Sequence, residues 1–249
     1  MAKKTPERYR ERLYRREATA GPLVSFEVQV RQSDLHIRAT TDLSQLARDS
    51  LLQHRAELES FIARSPSFVA SLVPLPLDPL APLVARAMLE AALVVGVGPM
   101  AAVAGAIAEV VGRDLLASTP EVIVENGGDV WLRVSSPGIS SAIFAGASPL
   151  SGRVGLAIHP ELCPLAICTS SATVGHSLSL GRADAAVALA ASGALADAAA
   201  TAIGNAVNGA RGIEAGLAVA AGIEGLLGAV VIRGARLGAW GEAVELVSL

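Results

Sequence analysis

The chain has 249 residues, 52% of them apolar but only 3% aromatic, so Ala, Val and Leu must fill the core of one large domain or two intimate lobes. A formal net charge of −3 provides no global attraction to nucleic acid or to an anionic membrane. Two cysteines, Cys163 and Cys168, exclude a disulfide framework and fit a reducing cytoplasm.

The first 20 residues form a basic N-terminal arm of mixed charge. No apolar stretch or cleavage site follows it, so it is not a secretory signal. It reads as a solvated segment, with an arm folded over an anionic ligand or a partner subunit as the alternative. Then FEVQV and LHIRAT alternate apolar and polar residues as two half-buried strands, with QSD as the turn between them. Thr41 or Asp42 can cap a helix whose stripe runs through Leu43, Leu46, Leu51, Leu58, Phe61 and Ile62 and which ends at Ser65-Pro66. Its charged face carries His54.

Prolines at 74, 76, 79 and 82 make residues 71–82 an extended connector and a soft internal boundary. Helical patterns follow at 83–95 and 99–116. Pro99 suits a first helical turn, whose exposed N–H groups can face an anion. Residues 91–108 are uncharged and approach the length of a membrane span. Gly96, Gly98 and Pro99, and the lack of flanking aromatic or basic anchors, favour buried structure and no membrane contact.

EVIVENGGDVWLRV reads as two strands joined by Asn126-Gly127-Gly128-Asp129, with glycines able to take positive φ. Short strands are expected near 141–145, 153–158, 166–170 and 183–190. A helix capped by Ser192 should run through Asn205, and a further Ala-rich helix starts after Gly212. Two terminal strands, GAVVIRG and EAVELVS, close the chain. Strands and helices do not alternate strictly, so the expected class is α+β with layered antiparallel or mixed sheets and Ala-rich helices. Each half offers strands followed by helices, but no repeat is evident.

Three polar islands stand out in so apolar a chain. Asp197 and Thr201 lie at i and i+4 on one helix face, a carboxylate beside a hydroxyl that suits Mg²⁺; the plain alternative is a dipole-favoured Asp and a back-bonded Thr. Asn126-Gly127-Gly128-Asp129 is a hairpin turn, or a turn whose glycines let a phosphate or flavin approach the backbone. Thr169, Ser170 and Ser171 end a strand five residues before His176. No nucleophile-elbow pattern is present, so hydroxyls and N–H groups holding phosphate, with His176 as donor or acid/base, are favoured over serine catalysis. Cys168 enters this cluster, where a thiolate can be stabilised; a buried structural thiol is the default.

YRERLYR, SDLHIRAT, GPMAAVAGAIAE, VENGGDVWLR and CTSSATVGHSLSLGRADAAV followed by ALADAAATAIGN identify the chain as a member of the UPF0280 family, related to the ApbE family of FAD:protein FMN transferases. ADAAATAI resembles the ApbE motif whose Asp and Thr bind Mg²⁺, which implies Asp197 and Thr201 as metal ligands. ENGGD resembles its flavin-side segment and implies cofactor contacts at Asn126, Gly127, Gly128 and Asp129. TSS and GHS resemble its Thr-Ser-Gly and His stretch and imply Thr169 and Ser170 as binding residues, with His176 and Asp197 catalytic. The pattern departs where ApbE proteins carry Lys-Gly and this chain has Gly98-Pro99-Met100, and the Asp-Pro expected after His176 is absent.

The resemblance implies an ApbE-type domain over 21–249. It would be a cytoplasmic protein that takes FAD, FMN or another phosphate-bearing ligand with Mg²⁺ and performs FMN or phosphoryl transfer or pyrophosphate cleavage. The alternative is a non-catalytic accessory factor in sulfur assimilation and homocysteine formation. Whether a homodimer forms through an exposed apolar helix face is left open.

Overall fold

The computed structural model describes residues 23–135, 139–173 and 179–249; the basic arm lies outside them. Two hairpins and their intervening helices occupy the first half. Strand β1 (Val24–Val30) pairs with β2 (Ser33–Ala39), and α1 (Ser44–Arg64), the short α2 (Ser67–Ala70), α3 (Leu83–Val95) and α4 (Val103–Leu115) follow. The second hairpin is β3 (Val122–Asn126) with β4 (Asp129–Arg133). Next come β5 (Ile139–Ala142), β6 (Val154–Ile158), β7 (Leu165–Ser170), β8 (Ala185–Ala190), α5 (Gly193–Ala206), α6 (Gly212–Ala221), β9 (Leu226–Arg233), β10 (Arg236–Trp240) and β11 (Leu246–Ser248).

Eight strands form one sheet in the order β1-β2-β3-β4-β7-β8-β9-β10, antiparallel throughout. The order is a repeat in itself. Each half is hairpin, helices, hairpin, and the halves join where β4 pairs with β7. Helices cover one face, with α4 on β3 and β4, α5 on β7 and β8, and α6 on β9 and β10. A second sheet, β11-β6-β5, covers the other face. Strand alternation divides the core accordingly. Ala186, Ala188 and Ala190 of β8 face the helices, while Ala185, Val187 and Leu189 face the small sheet. A strand buried on both faces against closely packed helices explains the alanine-rich composition.

Several local expectations shift. The first turn is Arg31-Gln32, with Arg31 at φ 54°, and Ser33 and Asp34 already pair with β1. No side chain caps α1 at Leu43; Asp42 instead accepts from the Ser44 N–H at 2.8 Å. His54 is buried rather than on a solvated face, because α1 lies against α4 and brings its Nε2 within 2.9 Å of Asp114 Oδ2. β10 was not expected: RLGAW lacks alternation, and its pairing with β9 supplies the order. Only Leu246–Ser248 of EAVELVS is a strand, and it joins the small sheet.

Among the described residues no single helix is long and apolar enough to cross a membrane. The apolar run at 91–108 is broken instead, with α3 ending at Gly96 in left-handed conformation and the chain bending by 107° into Pro99–Leu115. Pro99 opens that second piece as a 3-10 turn.

Candidate functional site

The site is built where α4 and α5 cross above β3, β4 and β7. Gly105 and Gly193 allow the crossing: a Cβ on Gly105 would lie 2.2 Å from the Gly193 carbonyl oxygen, and a Cβ on Gly193 would lie 2.2 Å from that of Gly105. Each helix then receives a carboxylate from the other at its first turn. Asp197 Oδ2 accepts from the N–H groups of Ala104 and Gly105 at 3.0 and 2.9 Å. Glu109 Oε2 accepts from Gly193 N–H at 2.7 Å and from the Ser192 hydroxyl at 3.2 Å. Both carboxylates compensate the helix dipole and occupy backbone donors that would otherwise lack partners. The N–H groups of Ala104 and Gly105 at the start of α4 are therefore engaged within the protein.

The hairpin supplies the floor. Asn126 and Asp129 are paired across the Gly127-Gly128 turn, whose φ values of 69° and 106° require glycine. Glu125 accepts from Gly128 N–H at 2.7 Å and holds the turn. Asn126 donates through Nδ2 to the Ala104 carbonyl at 3.0 Å, which ties the hairpin to the same turn of α4 that Asp197 holds. Asp129 accepts from the Thr169 N–H at 3.0 Å and shares a hydrogen bond with the Cys168 thiol, which also lies 3.7 Å from the Gly193 carbonyl.

Asn126, Asp129, Cys168 and Asp197 are thus brought together. Thr169 contributes its backbone, and strand alternation turns its side chain away from the face that carries Cys168 and Ser170. Ser170 is buried with its hydroxyl unpartnered, facing α5 where a Cβ on Gly204 would lie 3.4 Å from its Oγ. Thr201 is half-buried one turn beyond Asp197. His176 lies outside the described residues. Among the described residues near it, Leu180 N–H donates to Asn205 Oδ1 at 2.8 Å and Ala172 N–H to the Ala183 carbonyl at 3.0 Å.

Burial dominates the electrostatics. Desolvation pushes the pKa of Asp197 up to about 7, against the opposing hydrogen bonds from Gly105 and Ala104. Part of its surface stays accessible, so solvent protons can reach it. Asp129 is raised well above the usual carboxylate range by burial and by repulsion from Asp197. Burial also pushes the Cys168 thiol up, reinforced by Asp129, which favours the default reading of a buried protonated thiol over a stabilised thiolate. Among the described residues no group of three or more His, Cys, Asp or Glu side chains can hold a metal. Two surface cavities, of about 310 and 450 Å³, lie elsewhere, one beside Phe68 and the other beside Arg233.

Sequence reasoning passed over Glu109, Gly105 and Gly193. Their signal was present: Gly105-Ala-Ile-Ala-Glu109 and Gly193-Ala-Leu-Ala-Asp197 are two copies of one pattern, and the two carboxylates hold equivalent places.

A family model described as AbpE bacteria matches residues 15–232. A UPF0280 protein of Methanopyrus kandleri is 42% identical over 233 residues, covering 91% of this chain and 94% of its own length. Another, from Methanocaldococcus jannaschii, is 42% identical over 206 residues, covering 81% and 83%. Among solved structures, the apo form of flavinyl transferase ApbE from Pseudomonas stutzeri aligns with a TM-score of 0.56 at 16% identity, over 89% of this chain and 95% of that one. A variant of flavin transferase ApbE from Vibrio cholerae gives a TM-score of 0.56 at 15% identity, over 88% and 96%. At such identities the likeness establishes a common fold.

Proposed function

The chain belongs to the UPF0280 family, and from that membership we propose that it binds a flavin or another phosphate-bearing ligand, with Mg²⁺, at the Asp129–Asp197 cluster. The observation that carries the reading is the convergence of Asn126 and Asp197 on one turn of α4, with Asp129 close enough to feel the charge of Asp197, in a fold that flavin transferases share.

The donors fit a hard cation. Two N–H groups engage Oδ2 of Asp197, which leaves Oδ1 for a cation, and Thr201 follows on the same helix face. Desolvation raises the pKa of both carboxylates, and repulsion from Asp197 raises that of Asp129 further, so a positive charge beside them relieves both. Carbonyl groups and the ligand's own phosphates would complete the shell. Mg²⁺ bound there supplies positive charge against phosphate oxygens. The Gly127-Gly128 turn presents bare backbone, with nothing within 4 Å of a Cβ at either position, and so leaves room for a ring or phosphate. Asn126 and Ser170 orient the ligand, and His176 acts as hydrogen-bond donor or acid/base. The reaction class assigned to the site is FMN or phosphoryl transfer, or pyrophosphate cleavage.

Thermal unfolding tests the reading directly. FAD should raise the melting temperature only with Mg²⁺ present, and Asp197→Ala should abolish most of that shift. Absence of any shift with FAD, FMN or nucleotides in Mg²⁺ overturns it.

A further inference from the structure

Eight of the fifteen large apolar side chains exposed among the described residues fall between positions 69 and 94. All but Val69, which lies in α2, sit on α3 and on the proline-rich segment before it, and the two surfaces adjoin. Ser71 and Leu72 press on the α3–α4 corner, where a Cβ on Gly98 would lie 1.9 Å from the Ser71 carbonyl oxygen. Leu72 and Val73, 65% and 63% exposed, therefore lie beside the end of α3 that carries Leu93 and Val94. A contiguous exposed apolar patch rimmed by polar residues marks an interaction site.

The outward stripe of α3 says what covers it. Leu83, Arg86, Glu90 and Leu93 are all exposed and follow one helical face. Leu83 and Leu93 stand five residues either side of Met88, and Arg86 and Glu90 stand two either side. A helix with this pattern is complementary to a copy of itself lying antiparallel across a two-fold axis. Leu83 then meets Leu93 of the second copy, and Arg86 meets Glu90, at both ends of the contact. Neither charge has an ion pair or side-chain hydrogen bond among the described residues. Beyond the helix, Leu80 is 87% exposed, and a Cβ on Gly96 would meet nothing within 4 Å.

We propose that this chain forms a two-fold symmetric homodimer through antiparallel packing of α3, flanked by the proline-rich segment. Symmetry is the reason for preferring a second copy over a different partner: an isologous interface needs a surface that complements itself, and a palindromic Leu-Arg-Glu-Leu stripe has that property. The prolines hold the flanking leucines in place before association, which lowers the ordering cost.

The test is oligomeric state, measured on the full chain by light scattering and sedimentation equilibrium, with circular dichroism melts to verify folding. Wild type is expected to be a dimer. Glu90→Arg and Arg86→Glu each set like charges face to face twice and should weaken the dimer at least about tenfold. The double variant Arg86→Glu/Glu90→Arg restores both pairs and should recover it. A monomeric wild type overturns the proposal, as does a dimer indifferent to the single reversals or not rescued by the double. A monomer that floats with phospholipid vesicles would assign the face to a membrane surface and equally overturn the dimer.

Discussion

Asp197 holds the first turn of α4 with a carboxylate that the surrounding protein desolvates. Its pKa of about 7 lies above the ordinary carboxylate value near 3.9, so the native state binds an extra proton between about pH 4 and pH 7. Stability contributed by the neutral form is therefore lost as pH rises through that window, and Asp129 acts in the same direction. Asp197→Asn keeps an oxygen able to accept from Ala104 and Gly105 but cannot ionise. Melts between pH 4 and pH 8 should show a smaller loss of stability for this variant than for wild type. Mg²⁺ should stabilise wild type at pH 8 more than at pH 5 and leave Asp197→Asn unchanged. Equal pH dependence in the two proteins would show that Asp197 is ionised throughout. At this scale the sequence drew attention to Asp197, Asn126 and Asp129 because polar groups are conspicuous in an alanine-rich chain, and the fold brings them near one another. It could not show that Thr169 serves through its backbone, since that follows from a cross-strand neighbour forty residues away.

The crossing of α4 and α5 is an element-scale device: two glycines in backbone contact, each followed four residues later by the carboxylate that caps the other helix. Gly105→Ala would drive a methyl group into the Gly193 carbonyl and to within 2.9 Å of Asp197 Cβ. Because the obstacle is backbone, the helices must separate, at a cost of about 2–3 kcal/mol. The same change at Gly222, which ends α6 in right-handed conformation with its nearest Cβ contact at 3.6 Å, should be neutral or slightly stabilising through the unfolded chain. Denaturant midpoints of the two variants check the contrast. The helices themselves were legible from prolines, caps and apolar stripes. Their mutual capping was not, because it depends on which helices meet.

Across the whole molecule, the proline-rich segment does not divide the core. Phe26, Ile37 and Leu51 before it belong to the same buried cluster as Met88, Ala198 and Val231 after it. The β4–β7 pairing also continues one sheet through both halves of the repeat. We propose that residues 21–249 unfold as a single cooperative unit, with the arm uninvolved. Calorimetry should give one transition whose van't Hoff and calorimetric enthalpies agree, unchanged when the arm is removed. Two resolved transitions would restore the boundary that the prolines suggest.

Local chemistry determined what the sequence could announce by itself. Alternation marked most strands, prolines and glycines marked breaks, and the Gly-Gly hairpin, the Asp/Thr helix and the α+β class all follow from interactions within a few residues. Tertiary structure decided the rest. β10 acquires its order from its pairing with β9, and His54 is buried because α4 passes over it. The two halves become a repeat only when their hairpins line up in one sheet. Asp197 gains its place in the cluster from a helix that begins more than ninety residues before it, and its raised pKa from burial that outweighs the hydrogen bonds of that helix. Desolvation and reciprocal capping are properties of elements brought together, and no stretch of chain carries them alone.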